Sequence, residues 1–411
     1  MSQPALRVGQ PIWLRPGRLP ETTSYGALRG HRQVEVAIVG GGLSGSLIAL
    51  NMAEAGVSVA VVEAARAGRG STAASTALLL QEPDVDFGDL TERYGEATTK
   101  RIWHASHDAA RELVAILRRL KIACALSERP SVYYTTKIER AAELRSELAL
   151  RHGVGFSGRW LTPGALRRVT GLTGAGAISI RGNAQLDPYR ASLGLLTAAK
   201  RAGAQVFEKS PVKRIRQTDG GVRLHTATGS IDAKKAIIAT GYATQSFKPL
   251  AGRFEMRHTY VLVTEPLTPH QKREVGLGPV LLWDTETPYH YIRWVAANRL
   301  MIGGADRPVR GGGVRAAKFG AATRELREHF ECLYPALAKV AIDYAWDGLF
   351  AMTPDSLPYI GPHRRYPNHL FALGYGGNGM TFAALSARIL LEQWQGVTSA
   401  DHALFAFNRA G

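Results

Sequence analysis

Cysteine is almost missing from this chain. Cys124 and Cys332 are its only two, and there is no C-x-x-C and no Cys/His cluster. A disulfide framework and a structural zinc site are therefore not expected, and a reducing cytoplasm is the expected setting. Long apolar runs are also missing, since none approaches the roughly 20 residues of a membrane-spanning helix. The first residues lack the basic start and apolar core of a secretory signal. Acidic residues are few: 34 Asp and Glu face 51 Lys and Arg, for a net charge of +17. Such a balance suits nucleic acid or an anionic membrane surface as partner. However, the basic residues are scattered arginines with short doublets such as Arg118-Arg119 and Arg364-Arg365, and no RNA-module motif accompanies them. A solvated basic surface, with weak attraction for anionic ligands or a membrane surface, is the reading carried forward.

What is present is ordinary globular composition, 45% hydrophobic and 21% charged, long enough for two or three lobes. Residues 1–32 read as an extended arm, with Trp13 and Tyr25 as anchors. Val34 to Val39 is β-branched and apolar, as in a strand buried on both faces. Gly40, Gly42 and Gly45 then form G-x-G-x-x-G at the start of a helical pattern ending near Gly56. Ser58 to Val62 is a second strand, and Glu63 follows it, placed to accept ribose hydroxyls. Strand, glycine turn, helix, strand and acid in register predict a bound dinucleotide.

Beyond Glu63, residues 64–80 are small and hydroxylated, which suits backbone passing close to a bulky ligand. Helices are expected over 99–121, 138–151, from Pro163, over 188–202 and over 316–332. Thr162 and Asp187 are read as caps preceding prolines. Strands are expected over 131–136, 205–208, 212–217, 222–226, 230–239, 257–265, 289–295, 299–303 and 340–349, the longer ones as an antiparallel sheet. Arg310 to Arg315 reads as a basic glycine loop. The chain closes with strand, Gly374-Tyr-Gly-Gly-Asn-Gly379, helix.

Six motifs occur in one order: the opening dinucleotide unit, Gly70 to Ser75, AQLDP at Ala184 to Pro188, IIATGY at Ile237 to Tyr242, DSLPYIG at Asp355 to Gly361, and GYGGNGMT at Gly374 to Thr381. In that order the chain resembles the FAD-dependent D-amino-acid oxidase superfamily, nearest to γ-glutamylputrescine oxidoreductase-like enzymes, with sarcosine and glycine oxidases as cousins. The resemblance implies an α/β (mixed α+β) fold with a Rossmann-like, GR2-type FAD-binding domain. A substrate domain on a large mixed, mainly antiparallel sheet is inserted into it. It suggests an FAD domain from residues 33–95, 150–250 and 345–411, and a substrate domain from 96–149 and 251–344. By the same resemblance Gly40, Gly42 and Gly45 hold the pyrophosphate, Glu63 and Ala64 the ribose end, and Val212 the adenine. Thr240 and Gly241 lie near the phosphates, and Ser71, Thr72 and Ser75 near the flavin. Gly376, Gly377, Asn378, Gly379, Met380 and Thr381 form a helix start whose N–H groups would favour negative charge at the flavin N1–C2=O edge. Asn378 is also read as its cap.

The implied activity is oxidation of an amine or amino-acid C–N bond by non-covalent FAD, with oxygen or another acceptor taking the electrons. Alternatives are a membrane-surface dehydrogenase and, from another class, a basic nucleic-acid-associated protein with a vestigial flavin fold. The carboxylate-gripping arginine of glycine oxidases falls at Phe350 here. Arg293, Tyr260, His258, Tyr291 and Tyr375 are the substrate-site candidates, with Trp283 and Tyr289 completing an aromatic box. No metal is expected.

Overall fold

Val36, Ala37 and Ile38 have no exposed surface, and this total burial fixes the first sheet. The computed structural model describes residues 7–15, 24–241, 247–309 and 315–409. Tyr242 and most of the basic glycine loop at 310–315 lie outside them, as do residues 1–6 and 16–23 of the arm.

The strand Gly30–Val39 runs parallel to Val59–Val62 on one side and to Gly229–Gly241 on the other. It starts four residues before the apolar run, because its exposed first residues pair with the strand built at Gly229. Val59–Val62 pairs in turn with Gln205–Phe207, in parallel. The far edge of Gly229–Gly241 is shared. Its first half carries the hairpin strands Arg214–Thr218 and Gly221–His225, and its second half the parallel strand Tyr366–Leu373. Helix Leu43–Glu54 lies on this sheet between helices Pro188–Arg201 and Gly379–Trp394. Buried strands with near-continuous apolar sequence, covered on both faces, are what a parallel sheet requires.

The second sheet runs Ile342–Met352, Glu255–Thr264, Arg299–Pro308, Tyr291–Val295, Leu281–Asp284, Ser131–Thr135, Gly176–Ile180 and Arg159–Leu161. All of its pairings are antiparallel except that of Leu281–Asp284 with Ser131–Thr135. The mixed, mainly antiparallel sheet expected from the resemblance is thus present, but the strand assignments differ from the boundaries drawn on the sequence. Arg159–Leu161 and Gly176–Ile180, inside 150–250, hydrogen-bond into the second sheet. So does Ile342–Met352, most of which lies within 345–411. Helix Glu96–Arg119, inside 96–149, packs instead on the dinucleotide side, where Ile102, Leu113 and Leu117 share a core with Leu385 and Leu390. Its apolar stripe matches that helix rather than a sheet face.

Both sequence-read caps are in place: Thr162 accepts from the Ala165 N–H and Asp187 from the Arg190 N–H. Trp13 and Tyr25 anchor the arm, both buried. Trp13 Nε1 donates to the Ser75 carbonyl at 2.8 Å, and Glu208 accepts the Tyr25 N–H at 3.2 Å. Residues Gly9 and Val8 reach the second sheet beside Trp346 and Asp347.

Candidate active site

A channel runs from Glu63 along the carboxyl ends of the parallel strands to the start of helix Gly379–Trp394. It is walled by Gly40, Gly42, Glu63, Ala64, Thr72, Val212, Thr240, Gly241 and Met380. Both Glu63 oxygens are fixed by backbone, accepting from Gly41 and Ala65 N–H groups at 2.8 Å each. Glu63 itself lines the channel. A Cβ on Gly40 would stand 2.5 Å from the Ala239 carbonyl, and one on Gly42 2.9 Å from Thr72 Oγ1. This floor admits a phosphate chain only because no side chain rises from it, and helix Leu43–Glu54 begins beside the same space, its Leu43 N–H already taken by Thr72 Oγ1 at 2.9 Å. The donor set therefore fits a dinucleotide. Gly45 does not line the channel. It lets the helix close onto the Gly40 carbonyl, which is a packing role.

A second cavity opens from the channel at Ser71, Ser75 and Gly379. Gly376, Gly377 and Asn378 form one wall, Trp283, Tyr289 and Tyr291 another, and Phe350 with Leu349 a third. Of the aromatic box, Trp283 stacks on Tyr133 with ring centroids 4.0 Å apart. The Tyr289 ring tilts against Tyr291 at 5.9 Å. Tyr291 shares a 2.9 Å hydrogen bond with the Thr259 hydroxyl. Burial raises the pKa of both tyrosines above its usual value, so both stay neutral hydroxyls. Tyr375 faces the nucleotide channel instead, its hydroxyl donating to Ser386 at 3.0 Å.

The other three substrate candidates lie elsewhere. Arg293 is 3% exposed. Its Nε donates to the Thr76 carbonyl at 2.7 Å and its Nη2 to the Leu186 carbonyl at 3.0 Å. Every direction in which it is bonded leads to backbone, so it shapes the wall at Thr76 and does not reach the cavity. Tyr260 is core, packed on Phe319. His258 faces Asp347 at 3.5 Å on the opposite side of its strand from Thr259. Strand alternation explains both corrections, because Thr259 points into the cavity and its two neighbours must point away.

Asn378 does not cap its helix. Its amide nitrogen donates to the Glu82 carbonyl at 2.7 Å. Thr381 does the same to Leu80 at 2.6 Å, holding residues 80–82 against the helix start without lining the cavity. These two bonds bring in a residue absent from the sequence reading, Asp84, whose Oδ2 accepts the Gly377 N–H at 2.6 Å. Burial pushes the Asp84 carboxyl up to about 7, partly offset by the N–H groups of Gly377 and Asn378. Asp306 is the second overlooked acid. Burial raises it to about 6, against the opposing pull of the Thr259 hydroxyl, Arg257 and His290. Its Oδ1 is buried with no hydrogen-bond partner.

A carboxyl with a folded pKa above its unfolded value is destabilising when ionised. Stability is therefore highest below about pH 4 for this group and falls as pH rises toward 7. In Asp84→Asn protein free of flavin, thermal melts from pH 5 to pH 8 should lose part of the downward slope. The variant should be more stable at pH 8 by on the order of 2 kcal/mol. An unchanged slope would show that Asp84 does not titrate in this range.

One donor cluster also escaped the sequence. Asp284, His290 and His329 bring their ligand atoms within 4.8 Å of one another. His290 Nδ1 meets Asp284 Oδ2 at 2.9 Å, and its ring stacks on His329. The cluster braces the loop that carries Tyr289. Neither Cys124 nor Cys332 lines the cavity. Among the described residues no helix is long and apolar enough to cross a membrane.

With this geometry in place, comparison with known proteins is informative. The family described as FAD dependent oxidoreductase (DAO) matches residues 35–393. The probable oxidoreductase OrdL of Haemophilus influenzae is 25% identical over 87% of this chain and 82% of its own. The γ-glutamylputrescine oxidoreductase of Escherichia coli is 28% identical over 88% and 84%. Among solved structures, glycine oxidase from Geobacillus kaustophilus superposes with a TM-score of 0.78 at 24% identity, covering 92% of this chain and 99% of that one.

Proposed function

From the premise that this chain belongs to the DAO family of FAD-dependent oxidoreductases, we propose that it oxidises the C–N bond of a small amine without a guanidinium clamp for a substrate carboxylate. The observation that carries this reading is the cavity wall. Among the described residues it holds two aspartates, three aromatic rings and Phe350, and no arginine, lysine or histidine. The relatives named γ-glutamylputrescine oxidoreductase and glycine oxidase support amine or amino-acid chemistry. The missing guanidinium favours the amine branch of that choice, since a carboxylate would meet two acids and no cation.

When bound, FAD supplies a two-electron acceptor for the Cα–H and nitrogen of the amine. The chain supplies position. Gly40, Gly42 and Glu63 would hold the nucleotide half. Ser71, Ser75 and Gly379, which line both channel and cavity, would hold its reactive end, with Gly376 to Asn378 beside them. Trp283, Tyr289 and Tyr291 form an apolar sleeve that keeps water from the reacting carbon and orients it. No side-chain base is needed if the amine enters neutral, and neutral tyrosines do not reprotonate it. The product imine hydrolyses to a carbonyl compound and ammonia or an amine, and oxygen or another acceptor takes up the electrons.

The purified protein should show flavin absorption, released by denaturation. Anaerobic addition of small amines should bleach it, while glycine and other simple amino acids leave it oxidised. Bleaching by glycine at micromolar concentration would overturn the amine assignment. No flavin uptake on reconstitution would overturn the enzyme reading itself.

A further inference from the structure

The proposal of an amine oxidase leaves one buried group unused. Asp306 borders the cavity beside Thr259 and Tyr291, and its Oδ1 is buried with no partner. A carboxylate left like this costs free energy unless a cation or donor meets it. Among the described residues no cation bonds that oxygen: Arg257, whose charge reaches Asp306, spends its Nη2 on Glu255 at 3.1 Å, leaves its buried Nε without a partner, and does not line the cavity. His290 also acts on Asp306 only through its charge and faces Asp284.

Resting on the amine reading above, we infer that Asp306, Thr259 and Tyr291 form an anchor for a second, protonated nitrogen of the substrate, so that the preferred substrates are diamines or aminoalkyl cations. The arrangement has the parts such an anchor needs. Asp306 gives a free carboxylate oxygen, and the Thr259 hydroxyl holds the carboxyl in place. The Tyr289 and Tyr291 rings can present their faces to an ammonium in a dry wall. Asp84 lines the same cavity, committed to the Gly377 N–H, and the charge of Asp306 acts on it. An ammonium at Asp306 thus enters a field made by two acids, while the nitrogen to be oxidised sits uncharged toward Gly376 to Gly379. Charge and reaction are separated within one substrate: the far ammonium keeps its proton, and the near amine gives up a hydride and a proton to become an imine.

The room for the anchor is built into the backbone. Gly303, three residues before Asp306, would place a Cβ 2.1 Å from the Tyr291 ring. Only glycine there leaves room for that ring.

The test uses the flavin-loaded protein and two readouts. Perturbation of the flavin spectrum gives Kd for 1,4-diaminobutane and for butylamine, and anaerobic bleaching gives the reduction rate. The diamine should bind more tightly than the monoamine in the parent protein. In Asp306→Asn, diamine affinity should fall by roughly tenfold to a hundredfold, the range for losing a charged hydrogen bond, with butylamine affinity unchanged. Asp306→Glu should recover part of the diamine preference. Equal affinity for the two amines in the parent, or equal losses for both in Asp306→Asn, overturns the anchor. If neither amine perturbs or bleaches the flavin but an amino acid does, the amine reading fails first. Bleaching by monoamines alone sinks only the anchor.

Discussion

Gly45→Val should yield a protein that binds no FAD. A Cβ at position 45 would sit 1.9 Å from the Gly40 carbonyl oxygen and 3.5 Å from Ile38. The first atom is backbone at the end of a strand buried on both faces, so it cannot give way as a flexible side chain would. Relief requires helix Leu43–Glu54 to lift away from the sheet. That helix, however, is wedged between helices Pro188–Arg201 and Gly379–Trp394. Lifting it disturbs the pyrophosphate floor and the flavin-end helix together. The expected loss is more than about 3 kcal/mol of stability, at the upper end of overpacking effects. FAD affinity should fall by at least about a hundredfold, which is roughly the same energy expressed as binding. Gly45→Ala meets the same contact and should behave similarly, without the extra methyls. Titration of apo-protein with FAD, followed by flavin fluorescence, checks both variants. A Gly45→Ala protein with parental FAD affinity would refute the close-packing role.

Arg293→Met should damage stability and leave substrate recognition alone. The guanidinium is buried with two short bonds to the Thr76 and Leu186 carbonyls and lies over the Trp13 ring at 5.2 Å. Burial lowers its pKa to about 9, with Asp187 acting in the other direction. Methionine fills much of the volume but donates nothing. Two buried carbonyls are then left unpaired, at about 1–3 kcal/mol each. A total loss of about 3–5 kcal/mol is expected, read as a lower urea midpoint at constant slope. Any variant protein that remains folded should keep its KM for amines. A raised KM with unchanged stability would return Arg293 to the substrate site.

The contrast between Arg293 and Asp306 shows what the sequence could and could not disclose. The nucleotide half was legible because its demands are local. A glycine turn, its strand and its helix lie within thirty residues, and each constrains the next. Glu63, Gly40 and Gly42 consequently lie where their spacing places them. The substrate half depends on pairings between distant strands. Arg293 looked like a ligand because a motif placed it near one. Its fate was set by Thr76 and Leu186, which no local pattern brings to it. His258 and Tyr260 were named together with Thr259 unremarked, although one strand can show the cavity only alternate residues. Asp84 and Asp306 belong to none of the sequence motifs. Their burial comes from the helix start at 377 and from the tyrosines at 289 and 291. The available signal was the glycine pair Gly303-Gly304 next to Asp306, since glycines inside a strand often mark close approach by a bulky neighbour.

The order in which these strands leave the ribosome has a cost. Gly30 pairs with Gly229, and the second half of that later strand pairs with Tyr366–Leu373. At about 5–20 residues per second of synthesis, the first strand waits roughly 10–40 s for its partner on that side. During the wait its flanking edge and the apolar face of helix Leu43–Glu54 are open to other nascent chains. Slower translation or low temperature lengthens the interval, while a chaperone that holds the first hundred residues shortens the danger. Yield on overexpression should therefore respond more strongly to chaperone supply than to added FAD, because the flavin end of the site does not exist until the last long helix has been made.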